Sequence, residues 1–118
     1  MLHKTMELKG FHLEAEDGEI GHVEDFILDD DSWIVRYLIV DTGNWLPGRI
    51  VLVSPLWVER IDWQDRKVLV LMSRETVRNS PEYTEASLLT REYEMRLHEH
   101  YNRLGYWDKD LAGVKHAF

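Results

Sequence analysis

From residue 11 to residue 72 the apolar side chains come in short runs broken by turn residues, and helical periodicity is absent. That pattern predicts the strands of a small barrel or sandwich. Phe11 to Glu16 forms the first expected strand, and Asp17-Gly18 a tight hairpin turn, because glycine tolerates the positive φ such turns demand. The second strand starts at Glu19 and carries Ile20, Val23, Phe26, Ile27 and Leu28. Its alternation slips, and Gly21 marks a bulge or a close backbone approach that helps a sheet curl. Asp29-Asp30-Asp31-Ser32 reads as a solvated turn. Trp33 to Val40 follows, dense in the β-branched and aromatic residues that suit a pleated surface. Both faces of this run are apolar, which predicts a central strand with one face inside and the other covered by the C-terminal appendage or a partner. Gly, Asn and Pro break pairing over residues 41–48. Arg49 to Val53, Trp57 to Trp63 and, after a polar turn at Gln64 to Lys67, Val68 to Met72 complete a set of about six strands. The expected fold is mainly β, a small closed β-barrel over residues 1–78 followed by an α-helical appendage.

The last third changes period. Ser73 to Val77 reads as a capped helical turn, and Ser80-Pro81 ends it. Thr90 caps a helix from Arg91 to Leu104, where Tyr93, Leu97, Tyr101 and Leu104 form one apolar stripe and Gly105 suits the stop. Glu92 to Arg96 and Glu99 to Arg103 are spaced for ion pairs along the wet face. Residues 79–118 are thus a connector and a helix with its tail, packed on the barrel or on a partner subunit.

Composition narrows the function. With 118 residues there is room for one core. A net charge of −8 repels nucleic-acid phosphates, so direct nucleic-acid binding is not expected. No apolar run approaches the roughly 20 residues of a membrane span, which argues against insertion and leaves peripheral association open. The N-terminus has no apolar signal segment, and there is no cysteine for a disulfide, a thiolate metal site or a thiol nucleophile, so a cytoplasmic location is predicted.

Gly18-Glu19-Ile20-Gly21-His22-Val23-Glu24-Asp25-Phe26, followed by Trp33 to Gly43, resembles the PRC-barrel family. The resemblance continues through Thr42 to Arg49, Val53-Ser54-Pro55 and Ser73 to Val77 before Ser80-Pro81, and covers about residues 5 to 107. It implies a small β-barrel of bacterial type, with no catalytic residue to carry over and no cofactor. The family includes a domain of the photosynthetic reaction centre H subunit and one of the ribosome maturation factor, both used for protein contact. It therefore implies a protein partner and, since bacterial relatives often carry two barrels in tandem, a homodimer or higher oligomer here.

Several constellations invite chemistry. Asp29-Asp30-Asp31 lacks the glycine and glutamate of a calcium loop, since Ile34 and Val40 stand in those places. Glu19, Glu24 and Asp25 could act as acid and base only if a pocket shifted them. His98 and His100 point about 200° apart on a helix and cannot share a metal ion. Glu94 and His98 do face the same side, as a hydrogen-bonded pair or half a metal site. No metal site is predicted. His22 has no Ser or Cys partner motif and reads as a surface or interface residue. The candidate contact residues are Trp45, Leu46, Pro47 and Arg49, because Trp and Arg dominate interface hot spots. Trp45 serves equally as a plug for one barrel end. Tyr101, Tyr106 and Trp107 dock on their own barrel or face a partner. The rival reading is a sensor that holds a small molecule or ion at the barrel mouth or acidic loops.

Overall fold

The structure, a computed structural model, describes residues 5–29, 31–43, 49–83, 90–103, 105 and 107. Strands β1 (His12–Ala15) and β2 (Gly18–Leu28) form the expected hairpin. They are followed by β3 (Val35–Asp41), β4 (Ile50–Val53), β5 (Val58–Asp62) and β6 (Lys67–Val70). The six strands form one sheet in the order β4-β3-β2-β1-β6-β5, with β1 and β6 parallel and the other neighbours antiparallel.

The expected closure is not found. Strands β4 and β5 are the two edges of the sheet, and no ladder joins them among the described residues. The physical reason lies in what occupies the gap. A 3-10 turn, Pro55–Trp57, separates the two strands, capped by the Ser54 hydroxyl, which accepts from the Leu56 amide at 3.1 Å. On the other side, the Tyr83 amide donates to the Ile50 carbonyl at 3.0 Å, so the chain after the first helix takes up bonding capacity at β4. The sheet is nevertheless strongly curled. Laid flat, its edges would lie about 24 Å apart, whereas the five Cα steps from Val53 to Val58 reach at most ~19 Å even fully extended.

Curling is written into β2. Its register slips against β1 beside Ile20 and against β3 beside Glu24. A Cβ added at Gly21 would run into the Asp41 carbonyl, so the end of β3 approaches a strand position that only glycine can occupy. The strand expected from Trp33 begins two residues later, at Val35. The Asp29 amide donates to the Ile34 carbonyl (2.8 Å) and the Trp33 amide to the Asp29 carbonyl (2.9 Å), closing a turn that puts Trp33 at φ 58. For a residue with a Cβ that left-handed backbone costs on the order of 1 kcal/mol.

The core is built from Leu8, Leu13, Ile20, Val23, Leu38, Val40, Val51, Leu52, Val53 and Val68, each about fully buried. Burying one leucine of this set contributes about 2 kcal/mol. Tyr37 and Leu38 are both 0% exposed, and neighbours in a strand point to opposite faces. β3 is therefore covered on both sides, and the second cover comes from this chain's own C-terminal helix.

Helix α1 (Arg74–Arg78) is capped by Ser73, which accepts from the Thr76 amide, and α2 (Arg91–His100) by Thr90, which accepts from the Tyr93 amide, each at 3.1 Å. α2 stops earlier than its apolar stripe suggests. Asn102 takes φ 55, and the Arg103 amide reaches back to the His98 carbonyl at 2.8 Å, the bonding of a left-handed C-terminal cap. Asparagine thus does what Gly105 was expected to do, and Leu104 lies outside the described residues. Arg96 lies over the Tyr93 ring, 5.8 Å from its centroid, and the ion pair seen along α2 joins Arg91 to Glu94 at 3.9 Å.

Candidate functional site

The buried face of α2 is wider than one apolar stripe: Tyr93, Glu94, Leu97 and His98 all face inward. Glu94 is 5% exposed and His98 2%, and between them stands the Tyr37 hydroxyl of β3. That hydroxyl donates to Glu94 Oε2 at 2.7 Å. Having one proton, it must then accept from His98 Nε2 at 2.8 Å, which places the hydrogen on that ring nitrogen. The bonds satisfy polar groups that would be costly to bury alone. Trp57 meets the His98 ring edge-on at 5.1 Å and tilts against Tyr101 at 4.7 Å. Trp107 also packs edge-on against His98 at 5.0 Å, with Arg91 over its indole at 4.1 Å. A Cβ at Gly105 would overlap that indole, so the glycine makes room for Trp107 to fold back.

Further bonds fasten the helix. The Tyr93 hydroxyl donates to the Pro81 carbonyl at 2.9 Å, and burial, with a smaller contribution from Tyr101, pushes its pKa up to about 12. His100 Nε2 donates to the Thr76 carbonyl at 2.7 Å. His98 and His100 thus point to different elements, as the helix period requires. Tyr101 is 7% exposed, and burial raises its pKa against the opposing influence of Ser80 and Arg49. Arg49 Nε is buried and finds no hydrogen-bond partner among the described residues. The Arg49 guanidinium caps the Ser80 carbonyl through Nη2.

A second group of titratable side chains is open to solvent. A cavity of about 310 Å³ is lined by His12, Glu19, Ile20, Gly21, His22, Thr42, Gly43 and Arg74. His12 and His22 are cross-strand partners, and Asp41 stands opposite His22 on the other side. Glu19 Oε1 lies 2.5 Å from His12 Nδ1, with both side chains more than half exposed. Asp25 is not part of the lining; its carboxylate accepts from the adjacent Phe26 amide at 2.8 Å, and Glu24 is exposed. Among the described residues no three His, Cys, Asp or Glu side chains are placed to hold a metal ion. Nor is any described helix long and apolar enough to cross a membrane.

Of the candidate contact residues, Arg49 is half-buried against Ser80, Tyr101 is buried against Trp57, and Trp107 packs on His98. Trp45, Leu46, Pro47 and Tyr106 lie outside the described residues. The feature that sequence reading missed is Tyr37. Its signal was indirect: Glu94 and His98 sit one residue beyond Tyr93 and Leu97, so a face covering both pairs needs a polar partner on the sheet.

The profile of the PRC-barrel domain matches residues 7–77, the stretch from the turn before β1 through most of α1. The chain belongs to the PRC-barrel domain family. No curated protein matches it at a significant level. In this PRC-barrel chain, Tyr37 and Trp57 lie within the matched stretch, whereas Glu94, His98, Tyr101 and Trp107 lie beyond it. The polar junction therefore joins the PRC-barrel domain to its C-terminal appendage.

Proposed function

We propose that this PRC-barrel chain is a non-catalytic contact and assembly module, an adaptor or scaffold of the bacterial cytoplasm that works as a homodimer or higher oligomer and binds another protein. The observation that carries the reading is where its large apolar side chains lie. Trp33 is 65% exposed, Met95 54%, Leu71 53%, Met6 46% and Trp63 42%, on a chain whose net charge of −8 would favour solubility without them. The Tyr37, Glu94 and His98 groups, by contrast, are buried and bonded to one another where α2 docks on β3. Purification of the tagged protein from its own cell, with mass spectrometry of what accompanies it, tests the reading. A reproducible protein partner and a mass above the monomer at micromolar concentration are expected. A monomer with no reproducible companion would count against it.

The cavity beside His12 and His22 favours a second reading, a sensor that holds a small molecule or ion. It predicts a ligand-dependent rise in melting temperature that His22→Ala removes. A rise that survives that substitution would place the ligand elsewhere.

A further inference from the structure

We infer that Trp33 and Ile34, at the tip of the β2–β3 hairpin, are a preformed anchor for the protein partner, and that the partner receives them in an apolar pocket rimmed by Lys or Arg. This rests on the contact-module reading. Trp33 stands at φ 58, a backbone position where glycine or asparagine would escape the steric cost of a large side chain. Among the described residues the indole itself makes no hydrogen bond or ring contact that would repay that cost, and Trp33 is 65% exposed and Ile34 37%. The indole is not what shapes the turn either. Asp29 does so, accepting from the amides of Asp31 (2.9 Å) and Ser32 (3.1 Å) and pairing with Arg36 at 3.2 Å. Those contacts, the Ser32 amide foremost, hold the Asp29 carboxyl below its ordinary range.

A residue that breaks a local rule without a gain inside its own fold points to a gain outside it. The other exposed apolar residues do not combine these features. Trp63 meets Phe11 edge-on at 5.5 Å and so packs on its own core, and none of Met6, Trp63, Leu71 and Met95 has a positive φ. A turn locked by hydrogen bonds presents its indole with little ordering cost, which is what an interface anchor needs. Charge selects the partner. Asp29 is neutralised by Arg36, but Asp31 is exposed and Asp30 adjoins it in sequence. Carboxylates beside an apolar tip complement a basic rim. The same carboxylates disfavour the like-charged tip of a second copy or an anionic membrane as the occupant of this tip.

The test places the photoreactive residue benzoylphenylalanine at position 33, and at position 95 as a control, in the full chain within its own cell. The protein cross-linked at position 33 is then purified and titrated against the intact chain. A partner cross-linked at 33 but not at 95 is expected. Its affinity should fall at least tenfold with Trp33→Gly and with Trp33→Ala, and should weaken as salt is raised. The melting temperature of Trp33→Gly should stay level or rise by a few degrees, since the strain is relieved. A partner that binds both variants unchanged, or that ignores salt, overturns the inference while sparing the contact-module reading. So does a cross-link only to lipid or to a second copy, or a clear drop in melting temperature for Trp33→Gly, which would show the indole serving its own fold. Absence of a partner by both cross-linking and tagged purification overturns the two together.

Discussion

Two places in this molecule gather histidine and glutamate, and they are opposites. Where α2 meets β3, Glu94 and His98 are dry, held 2.7 and 2.8 Å from the Tyr37 hydroxyl and walled in by Trp57 and Trp107. Beside β1 and β2, His12, Glu19 and His22 line an open cavity of about 310 Å³ and face water. The residue types are similar, but the solvent differs. Buried polar groups must be satisfied by the fold and so act as fasteners, whereas exposed ones are already satisfied by water and contribute little to stability.

The largest consequence is expected at the closed junction. Tyr37→Phe keeps the ring but removes the hydroxyl that bonds both Glu94 Oε2 and His98 Nε2 in a buried site, and should cost about 2–4 kcal/mol in denaturant unfolding. A cost below about 0.5 kcal/mol would mean that water reaches the cluster and that the two places do not differ as described. Gly105→Ala should displace the Trp107 indole and destabilise by about 1–2 kcal/mol, with a change in tryptophan fluorescence.

A pH scan sharpens the contrast. The Tyr93 hydroxyl titrates near its ordinary value of 10 in the unfolded chain and at about 12 in the folded one. The unfolded state therefore loses this proton first, and stability should decline as pH rises from 10 towards 12. Tyr93→Phe should flatten part of that decline, and an unchanged slope would show that Tyr93 is not buried as described. The smallest effect belongs to the open cavity, where His22→Ala should change stability by less than about 0.5 kcal/mol. A larger loss would make His22 part of the fold's fastening.

The parts of this arrangement that depend on local pattern were legible in the sequence. The two apolar faces of Trp33 to Val40 predicted a central strand covered on both sides, and β3 is one, with α2 as a cover. Thr90 and Ser73 were recognisable as caps because capping needs only a hydroxyl before an apolar period. Gly21 was recognisable as a place of close approach, although only the fold shows that the Asp41 carbonyl is what approaches. What depended on distant partners was hidden. Nothing near Glu94 and His98 announces that a tyrosine 57 residues before Glu94 will stand between them. Closure was overestimated because strand count says nothing of the edges, and here the Ser54–Pro55 turn and Tyr83 occupy the space a β4–β5 ladder would need. The stop of α2 at Asn102 instead of Gly105 has a similar origin, since Gly105 is claimed by the Trp107 ring.

The most direct measurement divides an extract of the protein's own cell into macromolecular and dialysable fractions and follows the melting temperature of the purified chain in each. A contact module should be stabilised by the macromolecular fraction alone, and His22→Ala should respond as the parent does. Stabilisation by the dialysable fraction, abolished by His22→Ala, would contradict the account and give the open cavity the functional role.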